Sequence, residues 1–379
     1  MKIAVNTRLL LPDKLEGIGW VAYETLKRIT TAHPEHEFFF IFDRKWDDRF
    51  IFSDNITPLV ARPQARHPFL YYIWFEWSVP RILKKINADV FLSPDAYLSL
   101  KTDVPSIPVF HDLNFEHYPK DLPVLERKYY RYFFPRYARK ATRIVTVSEF
   151  SKKDIVSLYD IPPEKVSVVY NGANDDFKPV GDMLRADTRK KLSGGCPYFI
   201  FVGALHPRKN LARLFQAFDY FKEQHMTDIK LVVVGNKKYW TREIQEAYKA
   251  MKYSEEVIFS GRMTSEDLHL AVASAHAMTY VSYFEGFGIP IIEAYRCDIP
   301  VLTSNVTSMP EVAGDAAVLI DPFSVKSIAE GLEKVALDSE LRMQMIEKGR
   351  EQRKLFTWQN SAEQLWSVIE NVLNVKQNR

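Results

Sequence analysis

The sequence predicts an α/β chain built as two parallel-sheet units that face each other across a cleft. Three observations point there. At 379 residues the chain exceeds what one ordinary core organises and suits two domains. Short apolar runs alternate with amphipathic stretches, the pattern of buried parallel strands joined by crossover helices. That alternation stops in a polar stretch near the middle and then restarts.

In chain order, the first half places strands at 3–5, 38–42, 90–93, 107–110 and 144–147, with helices at 20–31 and 69–86. From about Asn171 to Cys196 the chain is rich in Asn, Asp, Gly and Pro (NGANDDFKPVGD, then SGGC), which reads as the linker. Strands resume at 199–202, 231–234, 257–259, 278–281 and 301–303, with helices at 211–223, 241–251, 265–275 and 327–336. The last segment, 340–375, reads as helix broken near Thr357. Ligands of such sheets bind outside the carboxyl ends of the strands, so chemistry is sought there.

Composition narrows the function classes. Apolar residues make up 46% and charged residues 26%, as in a soluble globular protein, and no run reaches the eighteen apolar residues of a membrane span. The N-terminus enters a strand-like run with no signal-peptide core, so a cytoplasmic location is expected. Cys196 and Cys297 alone make neither a disulfide framework nor a cysteine-rich zinc site. A formal net charge of +3 implies no nucleic-acid partner. No Asp-x-Asp pair and no G-x-S-x-G elbow occurs, so neither a metal clamp of that kind nor serine-hydrolase chemistry is expected.

Four segments at strand ends can carry chemistry. Glu285-Gly-Phe-Gly-Ile-Pro-Ile-Ile-Glu293 leads from a strand through glycines to a helix that Pro290 opens. The backbone N–H groups around Phe287, Gly288 and Ile289 suit an anion or sugar hydroxyls, and Glu293, expected in the first turn, suits a ribose diol. The alternative is a first-turn acid that favours the helix dipole, with Gly286 and Gly288 as turn formers. In Gly203-Ala-Leu-His-Pro-Arg-Lys-Asn210, Arg208 and Lys209 could neutralise a departing diphosphate, with Asn210 as N-cap; a solvated basic turn is the alternative. Glu16-Gly17-Ile-Gly19 precedes a helix near Trp20, but Ala22 replaces the third glycine of a dinucleotide fingerprint, which disfavours a dehydrogenase. His111-Asp112 ends a strand, where His111 either meets a donor sugar or is a satisfied core histidine.

Together, Gly17-Ile-Gly19, His111-Asp112, Thr146-Val-Ser148-Glu-Phe-Ser151, Asn171-Gly172, Gly203…Arg208-Lys209-Asn210 and Glu285…Glu293 resemble glycosyltransferase family 4 over nearly the whole chain, most closely its bacterial mannosyltransferase branch. The resemblance implies the GT-B fold, two Rossmann-like domains facing each other across a cleft. It also implies a nucleoside diphosphate-sugar donor (GDP-mannose, or a UDP-sugar), no metal or other cofactor, and retention at the anomeric carbon. By the same resemblance Arg208 and Lys209 hold the diphosphate, Glu293 the ribose, and Glu285 with the Phe287–Gly288 backbone the sugar. His111 lies beside the anomeric region, Gly17 and Gly19 close over the phosphates, and Gly203 belongs to the phosphate loop. Ala204 departs from the arginine many members carry after that glycine, and Trp20 from a commoner polar residue. The expected domains are 1–176, on the acceptor side, and 177–357, on the nucleotide-sugar side, with the helix 358–379 packing back on the first.

The acceptor is expected to be a glycan or a lipid-linked chain in polysaccharide biosynthesis. The basic, aromatic segment 125–143 (LERKYYRYFFPRYARKATR) and the aromatic stretch 69–77 could rest on the inner face of the membrane; a core helix with a solvated basic face is the alternative. Rival functions are a GT-B-like epimerase or phosphorylase, and a non-catalytic binder of nucleotide-sugars.

Overall fold

The computed structural model describes residues 1–12, 15, 17–236 and 240–377, with side chains as far as 374. The chain divides into two units, 1–172 with 358–379, and 173–357.

The first unit holds a seven-stranded parallel sheet. Its strands are β1 (Lys2–Asn6), β2 (Glu37–Phe42), β3 (Ile56–Val60), β4 (Val90–Ser93), β5 (Ser106–Phe110), β6 (Ile144–Thr146) and β7 (Val166–Val168). They lie in the order β3-β2-β1-β4-β5-β6-β7. Alternation along β1 divides its side chains between two cores. Ile3 and Val5 join Leu26, Ile29 and the C-terminal helix residues Leu365 and Ile369, while Ala4 joins Trp74, Phe75, Phe134 and Tyr137 on the other face. The C-terminal helix Trp358–Gln377 thus belongs to the first unit, packed along the helix Gly17–Ala32.

The second unit holds six parallel strands, β8 (Tyr198–Val202), β9 (Lys230–Val234), β10 (Val257–Gly261), β11 (Ala277–Tyr280), β12 (Val301–Ser304) and β13 (Ala317–Ile320). Their order is β10-β9-β8-β11-β12-β13. Its core packs Phe199, Phe201 and Leu231 of the sheet against Phe215, Phe218 and Leu332 of the helices Leu211–Gln224 and Val325–Leu337. In each sheet the strand order turns once, between β1 and β4 and between β8 and β11, and crevices for ligands form at such points.

Three sequence expectations change. The linker read over 171–196 contains a helix, Asp182–Ser193, which buries only Thr188 and Ser193 and is therefore polar on nearly every face. The amphipathic stretch 69–86 is not one α-helix: a π-helical turn, Trp74–Ser78, separates Pro68–Ile73 from Val79–Ile86. Pro80 has no N–H to offer the Glu76 carbonyl, which disfavours regular α-helix there. The helix placed near Trp20 starts at Gly17, so Gly17 and Gly19 lie in its first turn rather than in a loop before it. Glu16 is outside the described residues.

Candidate active site

The carboxyl ends of β8 and β11 bring two loops together. After β8 the chain passes Gly203 into a short turn, Pro207–Lys209, and then the helix Leu211–Gln224. After β11 it runs through 281–288 into the helix Ile289–Arg296. Tyr283 N donates to the Arg208 carbonyl at 2.9 Å. Asn210 Nδ2 donates to the carbonyls of Val281 at 3.0 Å and Pro322 at 2.7 Å. Asn210 does stand at the helix start, but its side chain ties these loops and does not cap the helix.

Between the loops Glu285 bridges two cations. Arg208 Nη1 lies 2.6 Å from Oε2 and Lys209 Nζ 2.7 Å from Oε1. Lys209 Nζ also donates to the Tyr280 hydroxyl at 2.7 Å. Glu285 and Lys209 are buried, whereas 24% of the Arg208 side chain stays accessible and can meet a ligand. Burial alone would push the Glu285 carboxyl up, but the adjacent Arg208 and Lys209 outweigh it and bring it down to about 2. Burial, with the Glu285 charge beside it, raises the Tyr280 phenol well above its ordinary range, so it stays neutral. Two cations against one carboxylate leave the group with a net positive charge at a strand-end crevice.

The following helix carries Glu293. Gly288 precedes it with φ 120°, in the region that favours glycine, and a Cβ there would stand 3.1 Å from Ile291 Cδ1. Because the helix begins at Ile289, Pro290 is its second residue and Glu293 falls in the second turn; the first-turn placement is corrected. Glu293 is half-buried, and among the described residues no hydrogen bond or ion pair reaches its carboxylate. Burial pushes that carboxyl up to about 7. The buried Phe287 packs edge-on against Phe356, and its carbonyl lies 2.8 Å from Ser308 Oγ, which also reaches the Glu285 carbonyl at 2.9 Å.

The match to known proteins has the same two-part form. Residues 16–177 match the model described as Glycosyltransferase Family 4, and residues 185–352 that of Glycosyl transferases group 1. The chain is a family 4-like glycosyltransferase. This glycosyltransferase, a hexosyltransferase, is 26% identical to O-antigen chain mannosyltransferase B of Escherichia coli over 92% of its own length and 94% of that protein. It is 24% identical to O-antigen chain mannosyltransferase RfbU of Salmonella typhimurium over 74% of each chain. Anabaena Alr3699/HepE, solved with UDP-glucose, shares the fold with a TM-score of 0.77 at 15% identity, covering 98% of this chain and all of that one (100%). The lipopolysaccharide enzyme WaaG gives 0.74 at 19%, covering 97% and 99%. The fold is therefore GT-B, with two Rossmann-like domains.

Of the residues singled out in the sequence, Gly203, Arg208, Lys209, Glu285, Phe287, Gly288 and Glu293 of the glycosyltransferase lie on the second unit, in the segments that follow β8 and β11. Gly203 sits against the Lys209 stem, since a Cβ there would meet Lys209 Cε at 3.4 Å. His111, Gly17 and Gly19 lie on the first unit. His111 Nε2 donates to the Pro94 carbonyl at 2.7 Å, and burial lowers its pKa below the ordinary value, so the ring is neutral near pH 7. Gly19 has a packing reason, because a Cβ would stand 3.0 Å from the Leu9 carbonyl oxygen; among the described residues nothing crowds Gly17. Among the described residues no group of three or more His, Cys, Asp or Glu could hold a metal ion. The sequence reading missed Tyr280, and on the first unit Asn6, Arg8 and Asp95. An arginine three residues after an apolar strand core was the available signal, but Asp95 is 87 positions away.

Proposed function

We propose that this glycosyltransferase moves a hexose, first of all mannose, from a nucleoside diphosphate-sugar to a glycan or lipid-linked acceptor in polysaccharide biosynthesis, with retention. The observation that carries the reading is the Arg208–Lys209–Glu285 group with its net positive charge beyond β8 and β11. The likeness to O-antigen mannosyltransferases makes GDP-mannose the first donor to test. A UDP-sugar is the alternative, supported by the UDP-glucose complex of a protein of the same fold.

The acceptor oxygen attacks the anomeric carbon from the face that the diphosphate leaves. The bond from that carbon to the phosphate oxygen breaks, and the departing oxygen takes the acceptor proton. No enzymatic nucleophile and no metal enter this scheme. Arg208 and Lys209 share their charge with the diphosphate as it departs, Glu285 and the Phe287–Gly288 backbone hold the sugar, and Glu293 accepts from the ribose diol. His111 accepts from a sugar hydroxyl, and Gly17 and Gly19 lie along the phosphates. A thermal-shift screen with GDP, UDP and their sugars tests the reading: one base should stabilise the protein by an amount that rises with the logarithm of its concentration once above Kd. No shift with any of them would overturn it.

For the lipid-linked acceptor, the helix Val124–Lys140 supports peripheral contact with an anionic membrane. It buries Tyr129, Phe134 and Tyr137, and it exposes Leu125, Lys128, Arg131, Tyr132, Arg136 and Lys140. Among the described residues no helix is long and apolar enough to cross a membrane. Co-sedimentation with anionic vesicles at low salt should retain the protein; its absence from the pellet would remove this contact.

A further inference from the structure

The first unit holds a buried polar cluster that the reaction above does not use. It joins the ends of β1 and β4, the pair at which the strand order of that sheet turns. Arg8 Nε donates to Asp95 Oδ2 at 2.6 Å, and Asn6 Nδ2 donates to Asp95 Oδ1 at 2.8 Å and to Ser93 Oγ at 3.0 Å. The Arg8 guanidinium carbon stands 4.4 Å from the Tyr97 ring centre, and Nη1 lies 3.3 Å from the Ala65 carbonyl. Ser93, Asp95 and Arg8 are all buried.

Pro94 lies between the two anchored residues, with its φ restricted by its own ring. Its carbonyl receives the His111 Nε2 proton at 2.7 Å. A carbonyl can only accept, so Nε2 must carry hydrogen, and in the neutral ring Nδ1 is then an acceptor. No hydrogen bond reaches Nδ1 among the described residues. A buried ion pair stabilises a fold little better than apolar side chains of the same volume, so stability is a weak reason for this one.

We infer that Arg8 and Asp95 are positioning residues: by anchoring the segment around Pro94 they hold His111 as its Nε2–H tautomer and leave Nδ1 as the ring acceptor for a substrate hydroxyl. Only the substrate contact rests on the function proposed above. The tautomer is a property of the free protein.

Histidine-labelled full-length protein tests this by the 15N shifts of the His111 ring, read near neutral pH. The wild type shows a single Nε2–H form, and an Nδ1–H or protonated ring there overturns the inference. Arg8→Met combined with Asp95→Asn removes both charges together, so no buried charge is stranded. In that variant the two tautomers mix, turnover falls roughly tenfold, as for loss of one hydrogen bond, and the His33 and His36 signals report that the unit is still folded. A folded variant that keeps the pure Nε2–H ring overturns the inference. Mixed tautomers with unchanged turnover support the anchoring and overturn instead the contact between His111 and substrate.

Discussion

Glu285 and Glu293 share one loop-and-helix segment yet are held in opposite states. Glu285 is buried beside two cations and stays ionised down to about 2. Glu293, with burial and no cation, protonates near 7. Their linkage to folding has opposite sign. Glu285 contributes stability at neutral pH that is lost as pH falls from its ordinary 4.5 toward about 2. Glu293 binds its proton more tightly folded than unfolded, so the free protein loses stability as pH rises from 4.5 through about 7. Glu293→Gln should therefore raise the melting temperature at about pH 8 more than at about pH 5, which differential scanning calorimetry can read. If a ribose diol donates to the ionised carboxylate, nucleotide affinity in the wild type falls up to about tenfold per unit below pH 7. Titration calorimetry across that range should show the slope, and Glu293→Gln should flatten it. A flat wild-type profile would take Glu293 out of the nucleotide site. From sequence, both acids could be placed after one strand. Their opposite states could not, because Arg208 is 77 positions from Glu285 and burial belongs to the folded chain.

At the scale of elements, the central strands were legible, and of the four sheet margins only β10 was. Runs such as Phe38–Phe42 and Val90–Ser93 are apolar because both faces of the strand are covered. The strands missed, β3, β7 and β13, are all sheet edges, short and only partly buried, and β3 contains Pro58, which an edge tolerates. The polar helix Asp182–Ser193 escaped for a related reason: it buries too little to leave a periodic signature. A cap joins neighbours in sequence, yet the one expected of the Asn210 side chain is not made, because that side chain is drawn to the Val281 and Pro322 carbonyls. At the helix Glu149–Tyr159 the Ser148 cap is made, with Oγ accepting from Ser151 N at 3.0 Å. Ser148→Ala should cost about 1 kcal/mol in a denaturation experiment. Gly288→Ala should cost more, roughly 1–3 kcal/mol, because it combines a positive φ with a Cβ 3.1 Å from Ile291. A neutral Gly288→Ala would contradict the backbone described for that loop.

At the scale of the molecule, the chain ends by completing its first unit. Leu365, Ile369 and Leu373 of the last helix share a core with Leu26 and Ile29. Removing residues 358–379 should lower the unfolding temperature, since each large side chain withdrawn from such a core costs about 2–5 kcal/mol. An unchanged calorimetric profile would contradict that packing. The doubled α/β architecture could be read from one repeated alternation of apolar runs and helices, but the turn of strand order that selects β8 and β11 could not. That turn sets Arg208 and Lys209 beside Glu285, and the account rests on their charge serving a departing diphosphate. The most direct test is nucleoside diphosphate release from GDP-mannose, and from UDP-sugars, by wild type and Lys209→Ala. The expected result is a loss of about a hundredfold or more in a variant that still folds, with a lowered melting temperature because the buried Glu285 keeps only Arg208 as its cation. Near-normal release by the folded variant would contradict the account.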